Sequence, residues 1–265
     1  MRILFVGDIF GKPGRRVVSI LVPELKKSDN VDFVIVNGEN SAGGFGITPR
    51  ILKKFRNYGV DCVTSGNHIW DKKEIIPEFT NALNLLRPAN YPESAPGKGS
   101  QTFMDGKIGV INLSGKTLMP SIDCPFKTAD REINKLNTPT IIVDFHAETC
   151  EEKRALAEYL DGRVTAIIGT HTHVQTADAQ ILPKGTAFIT DAGMTGAFDS
   201  VIGVVAQKSI NYFTLGVPQR FDTGKGNEQL NGVMLDIDEN TGKAREIKAL
   251  RIDKPLPPDN KPNED

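Results

Sequence analysis

With 265 residues, 39% of them hydrophobic and 25% charged, the chain has the composition of an ordinary globular α/β protein. A net charge of −1 gives no polybasic footprint, so stable nucleic-acid binding is not expected, and no apolar run is long enough to span a membrane. Three widely spaced cysteines (Cys62, Cys124 and Cys150) form no Cys-x-x-Cys pair, and the start lacks the basic and apolar regions of a leader. Both features point to a reducing cytoplasm and away from a thiolate metal site.

Residues 2–6 read as a first strand ending at Asp8. Turn residues Gly11, Pro13 and Gly14 follow, then a helix over about 15–27 with Val17, Val18, Leu21, Val22 and Leu25 on its buried stripe. The run 32–36 is a second strand that exits into Gly38-Glu39-Asn40 and a glycine-rich loop, Gly43-Gly44-Phe45-Gly46. Thr48 and Pro49 suit the N-cap and first position of a helix reaching about Tyr58. A third strand, 61–64, exits into Gly66-Asn67-His68, and Asp71 with Glu74 makes a predicted capping box for the next helix.

Residues 85–100 read as an ordered loop, and 101–105 with 107–113 as a hairpin. A helix near 127–135 precedes strand 140–145, which exits at His146. Thr149 and Glu152 form a second capping box, for a helix ending near Gly162. The apolar run 164–168 leads into Gly169-Thr170-His171-Thr172-His173. Beyond it come a hairpin over 179–190, a small-residue loop at 191–199, a mixed stretch to 227, and a last hairpin over 231–252. Residues 1–253 are expected to form one domain and 254–265 a disordered tail. Strand–helix–strand units first and hairpins later suggest a mixed sheet, or two stacked sheets, with helices outside.

All four histidines, His68, His146, His171 and His173, fall at strand exits, where sites form in open α/β sheets. His171 and His173, two apart in extended chain, point to one side. The other exits supply Asp8, Glu39, Asn40 and Asn67. This nitrogen and oxygen set is too rich for one tetrahedral ion and suits two metals sharing a carboxylate. Taken singly, Asp8 or Asn67 could cap a turn and His146 could be a satisfied core histidine. The same chemistry repeated at exit after exit argues for a site. Rival motifs fail: Gly7 and Gly11 are too close for a phosphate loop, and Lys12 is followed by Pro13 instead of Ser or Thr. Cys150, with no oxyanion partner in view, reads as a half-buried helix residue and not a nucleophile.

In the order Gly7-Asp8, Gly38-Glu39-Asn40, Gly66-Asn67-His68, His146 and His171-Thr172-His173, the motifs resemble those of the calcineurin-like metallophosphoesterases. Two departures, Phe10 where that superfamily has histidine and Glu39-Asn40 where it has aspartate, resemble the YmdB-like phosphodiesterase branch. The start Gly-Asp-Ile-x-Gly-x-Pro-Gly and the stretch Gly-Glu-Asn-x-Ala-Gly-Gly of that branch are also present, and the likeness covers almost the whole chain. It implies a four-layer α-β-β-α sandwich of two mixed sheets flanked by helices. It also implies a two-metal centre, with iron first and manganese or zinc as alternatives, that hydrolyses cyclic nucleotides, 2′,3′-cyclic ones in particular.

The resemblance further implies Asp8, Glu39, Asn40 and His173 on the first metal and Glu39, Asn67, His146 and His171 on the second. Glu39 is then the bridge, and Asn40 replaces the histidine missing at Phe10. The expected nucleophile is a hydroxide between the metals, and His68 is the expected general acid. A phosphomonoesterase, or a nucleotide- or RNA-binding regulator with weak catalysis, stands as the alternative; the full donor set argues against a dead site. The expected partner is a small cyclic nucleotide or other phosphodiester, and oligomeric state, homo-oligomers included, is left open.

Overall fold

The computed structural model describes residues 1–81, 84–253 and 255–257. In chain order β1 (Arg2–Val6), α1 (Gly11–Ser28), β2 (Phe33–Asn37), α2 (Pro49–Asn57) and β3 (Cys62–Thr64) lead to a 3-10 turn at Lys73–Ile75 and the short α3 (Glu78–Asn81). There follow β4 (Ser100–Phe103), β5 (Ile108–Ser114), α4 (Pro125–Lys135), β6 (Thr140–His146), α5 (Cys150–Leu160) and β7 (Ala166–Thr170). The chain continues through β8 (Gln180–Ile181), β9 (Ala187–Ile189), β10 (Gly196–Ala197), α6 (Ala206–Leu215), β11 (Glu228–Ile237) and β12 (Ala244–Ile252).

Strand alternation divides the side chains between separate cores. Leu4 and Val6 of β1 and Val34 and Val36 of β2 pack with Val17, Val18, Leu21 and Val22 of α1 and with Leu52 and Phe55 of α2. Ile3, Phe5, Phe33 and Ile35 turn the other way, onto Ile108, Val110, Ile142, Ala166 and Ile168 of the second sheet. That sheet's remaining face, including Ile111, Val143, Phe145 and Ile167, packs with Ala129 of α4 and Leu156 and Leu160 of α5. The layers are therefore α-β-β-α, and both sheets are mixed. The first has the order β10-β11-β1-β2-β3 with β12 on β11, and the second β4-β5-β6-β7-β9-β8. Antiparallel β11 lies against β1, whereas β1, β2 and β3 run parallel, as do β5, β6, β7 and β9.

Along the inward faces the side chains change from apolar to polar towards the strand ends. Phe33 and Ile35 give way to Asn37, Cys62 to Thr64, Val110 to Asn112 and Ser114, Ile142 to Asp144 and His146, and Ile168 to Thr170. Register keeps these ends level, with Asn37 opposite Thr64 and His146 between Ser114 and Thr170. Parallel strands put all these ends on one side, so a buried polar cleft forms there between the sheets.

Several sequence expectations need correction. α1 begins at Gly11 because Pro13 fits a first turn, where its missing N–H has no helical partner. The Asp71–Glu74 capping box does not form: a 3-10 turn stands there with no side-chain cap, and Asp71 bonds His68. At the other box Thr149 accepts from Glu152 N, but the Glu152 carboxylate binds Lys116 N and Thr117 N instead of reaching back. The mixed stretch contains α6, which gave no periodic signal because only Ser209 of it is buried. Cys150 is exposed, not half-buried. Of the expected tail, 254 and 258–265 lie outside the described residues. Among the described residues no helix is long and apolar enough to cross a membrane.

Candidate metal centre

His146, the last residue of β6, is the meeting point. Its Nε2 lies 2.9 Å from Glu39 Oε1, 2.9 Å from His171 Nδ1 and 3.2 Å from Asn67 Oδ1. His146 and Glu39 are buried. The approach requires glycine at 66, since a Cβ there would sit 2.1 Å from Glu39 Oε2 and 2.3 Å from His146 Nε2. The Glu39, His146 and His171 ligand atoms all lie within 4.8 Å of one another.

Asp8, Asn40 and His173 form the adjoining part. Asp8 Oδ2 accepts from His171 N at 3.1 Å, while Oδ1, buried and 3.7 Å from His146 Nδ1, has no hydrogen-bond partner among the described residues. Asn40 Nδ2 donates to Gly44 O, which turns its Oδ1 towards His173 Nε2 at 3.2 Å. His173 Nδ1 meets Ile202 O at 2.9 Å, and Phe10 packs edge-on against the ring at a centroid distance of 5.5 Å. His171 and His173 have φ of 102° and 67°, a region costing non-glycine residues on the order of 1–3 kcal/mol each. The surrounding contacts must hold them there. Thus all seven residues expected as metal ligands converge on the cleft.

His68 stands beside this group. Its N–H points to Glu39 Oε2 at 3.3 Å, its Nδ1 pairs with Asp71 Oδ2 at 2.8 Å, and Phe45 packs edge-on against its ring at 5.0 Å. Asp71, whose spacing predicts a helix cap, is therefore an orienting group for His68.

Other supporting residues carried little or no signal in the sequence. Thr170 donates to Asp144 Oδ1 at 2.7 Å, so its oxygen is left to accept from His146 Nδ1 at 2.9 Å. That chain fixes a proton on Nδ1 and directs the Nε2 lone pair at the cleft. Asn37 and Thr64 complete the shell of Asp144. Glu148 holds His171 Nε2 at 2.9 Å, directing Nδ1 inward. Beneath the loop, a buried Lys153–Asp191 pair (2.8 Å) binds Thr172, the residue between the two histidines, through both its N–H and its hydroxyl. Asp144 alone offers a signal that could have marked it, as an ionisable residue inside an apolar run.

The charges are strongly coupled. Burial works against the Glu39 carboxylate, yet the charge and hydrogen bond of His146 outweigh it and hold Glu39 at about 2. Burial likewise opposes the His146 cation, but Glu39, Asp8 and Asp144 raise it to about 9. Burial and then the His146 charge depress His171 to about 3. Burial raises Asp144 to about 7 and also pushes Asp8 up, against the pull of His173 and His146. Two imidazole nitrogens 2.9 Å apart beside a carboxylate need a shared proton or a cation between them. An orphaned carboxylate oxygen close by needs the same. The donor set fits metal ions.

The sequence profile of YmdB-like proteins matches residues 4–250. The chain belongs to the YmdB-like family. It is 49% identical over 256 residues to the 2′,3′-cyclic-nucleotide 2′-phosphodiesterase of Bacillus subtilis (strain 168), covering 95% of this chain and 97% of that protein. Two solved structures share the architecture at 39% identity. One is a hypothetical protein from Thermus thermophilus, with a TM-score of 0.91 and coverage of 96% of this chain and 100% of that one. The other is a novel phosphatase from Mycoplasma pneumoniae, with a TM-score of 0.90 and coverage of 95% and 93%. Membership agrees with the resemblance carried by the motifs, and the four-layer fold is the one it implied.

Proposed function

We propose that this YmdB-like chain is a metal-dependent phosphodiesterase that hydrolyses cyclic nucleotides, 2′,3′-cyclic ones by preference. The convergence of Glu39, Asn67 and His171 on His146 Nε2 carries the reading as a metallohydrolase. The choice of substrate rests on the named relative at 49% identity. Hydrolysis consumes one water: its oxygen bonds to phosphorus, the P–O2′ bond breaks, and O2′ leaves as a hydroxyl, with a 3′-phosphate remaining.

Asp8, Glu39, Asn40 and His173 would hold one ion, and Glu39, Asn67, His146 and His171 a second. When bound, iron, or manganese or zinc in its place, supplies Lewis-acid charge for the phosphoryl oxygens. The Asp144–Thr170 chain and Glu148 keep the two inner imidazoles in the tautomers that such binding needs. His68 delivers the proton to O2′. Asp71 occupies its Nδ1, so Nε2 is the nitrogen left to meet the substrate.

Turnover of 2′,3′-cAMP, 3′,5′-cAMP and AMP by metal-loaded protein tests the class, with 2′,3′-cAMP expected to be fastest. A faster monoester would replace this reading with a phosphomonoesterase. His68→Ala should keep its metals and lose on the order of 10²–10⁴-fold on 2′,3′-cAMP. It should lose far less on a nitrophenyl phosphodiester, whose leaving group is stable as an anion. Equal losses on both substrates would remove His68 from the acid role.

A further inference from the structure

A cleft of about 1150 Å³ opens beside the donor cluster, lined among others by Lys12, Arg16, Lys72, Arg220, Lys225 and Phe45. Its contiguity with the site is structural. The Phe45 ring that walls the cleft also packs on His68, and Lys72 follows His68 by four residues. Gly44, next to Phe45, has a left-handed φ and lies against Phe10, whose ring in turn meets His173.

The cleft carries two carboxylates, and both are engaged: Glu228 pairs with Arg16, and Asp222 pairs with Lys208. Of its other cations, Lys72, Arg220 and Lys225 form no salt bridge with either acid among the described residues. A second aromatic residue, Phe221, also lines the cleft, with its ring packed towards Tyr212 and the Phe10 cluster. The net charge of −1 concealed this patch because acidic residues elsewhere balance it.

We infer that this cleft binds the body of a single-stranded oligoribonucleotide whose 2′,3′-cyclic phosphate end lies in the metal centre. The inference rests on the proposed phosphodiester reading and names its substrate class. Three features carry it. The volume is at or above the upper end of small-ligand pockets, roughly 300–1000 Å³. Cations on two separate chain segments, Lys72 on one and Arg220 with Lys225 on the other, suit a run of phosphates better than one phosphate. Cations interleaved with aromatic rings are how proteins hold single strands without reading sequence. A cyclic phosphate sits only at a 3′ terminus, so the strand leaves the site in one direction, from its 5′-oxygen. A single cleft on one side of His68 suits that polarity. The bond broken is the same P–O2′ bond, and one water is consumed as before.

The test compares 2′,3′-cAMP with a pentaribonucleotide ending in a 2′,3′-cyclic phosphate, using the metal-loaded full chain. The pentamer should show kcat/KM at least about tenfold higher at low salt, with the advantage lost at high salt. Arg220→Ala with Lys225→Ala, two exposed positions outside the donor set, should abolish that advantage and leave 2′,3′-cAMP turnover within about twofold. Equal kcat/KM for the two substrates in the wild type, or an advantage that survives the double variant, would overturn the inference. If neither substrate turns over, the phosphodiester reading has failed. Fluorescence anisotropy with a labelled pentamer ending in a 3′-phosphate then decides the cleft separately. Salt-sensitive binding that the double variant loses supports it, and absence of binding refutes it.

Discussion

Around His146 Nε2 the donors stand on or beside strand ends, with His146 and Glu39 buried, Asn67 and His171 half-buried, and the imidazole tautomer set from behind by Thr170 and Asp144. Around His173 more of the parts come from loops, Asn40 from the turn after β2 and Ile202 from a distant segment, while positive φ is common to His173 and to His171 of the first half. The first half is closed around His146 Nε2, which has Glu39, His171 and Asn67 donor atoms within 3.2 Å. The second is looser and keeps a buried Asp8 carboxylate oxygen that has no hydrogen-bond partner among the described residues. A strand end preorganises its donors through the sheet ladder, whereas loop donors depend on whatever braces the loop. The two halves should therefore release metal under different conditions.

Glu39 is the one residue assigned to both halves, so removing its charge should have the largest effect. Glu39→Gln should reduce bound metal from two ions per chain to fewer than one. Turnover should fall by on the order of 10³-fold or more, the scale of several kcal/mol of Lewis-acid stabilisation. His171→Ala should chiefly cost one ion. Metal content by mass spectrometry separates these outcomes, and loss of a single ion in Glu39→Gln would break the shared assignment.

Acidity gives a second way to tell the halves apart. In the metal-free protein His146 keeps its proton up to about 9. A metal entering the closed half must expel that proton, so its affinity should rise about tenfold per pH unit between roughly 7 and 9 and then level off. Chelator competition on the ion that His171→Ala removes would reveal the slope, and a flat profile over that range would contradict the assignment. The same proton acts on stability. A histidine whose folded pKa is raised from 6.5 contributes fully below 6.5, and that contribution is lost as pH rises through about 9. Metal-free protein should accordingly unfold more readily at about pH 10 than at about pH 6 so far as this group is concerned.

What the sequence made legible follows the same division. Strand exits are short-range features: an apolar run ending in a polar residue announces Glu39, Asn67, His146 and His171 without knowledge of the partner sheet. The layers were legible only through the family resemblance: near-continuous apolar runs, buried on both faces in β2, β5 and β6, announce strands but leave open one mixed sheet or two stacked ones. The braces were not. Asp191 reaches Lys153 and Thr172 across 38 and 19 residues, and Asp144 meets Thr64 across 80. Nothing in a local pattern encodes such pairings. Asp71 misled because an acid three residues before Glu74 has the spacing of a cap, while the histidine three residues before Asp71 competed for it and won. The basic cleft was invisible for yet another reason, as its cations come from three segments of a chain that is neutral on average.

The smallest effect should come from the brace under the histidine loop. Thr172 lies between His171 and His173, and its hydroxyl bonds Asp191 Oδ2 at 2.8 Å. His171 has anchors of its own in Glu148 and Asp8, whereas the His173 ring is held by Ile202 O, Asn40 and Phe10 and its carbonyl by Met194 N–H, with no carboxylate among them. Thr172→Val keeps the shape and the backbone bond to Asp191 but removes the hydroxyl. It should weaken the ion on the His173 side by roughly tenfold, the lower end for residues that orient ligands, and leave the His146 side nearly unchanged. Lys153→Met is the harsher comparison. It strands a buried Asp191 charge, should cost about 3–5 kcal/mol of stability, and should disturb both ions together. Stepwise metal release under a chelator gradient, read beside thermal unfolding, distinguishes the two variants. Equal weakening of both ions in Thr172→Val, with stability intact, would mean that the loop moves as one rigid piece and that the halves are not independent.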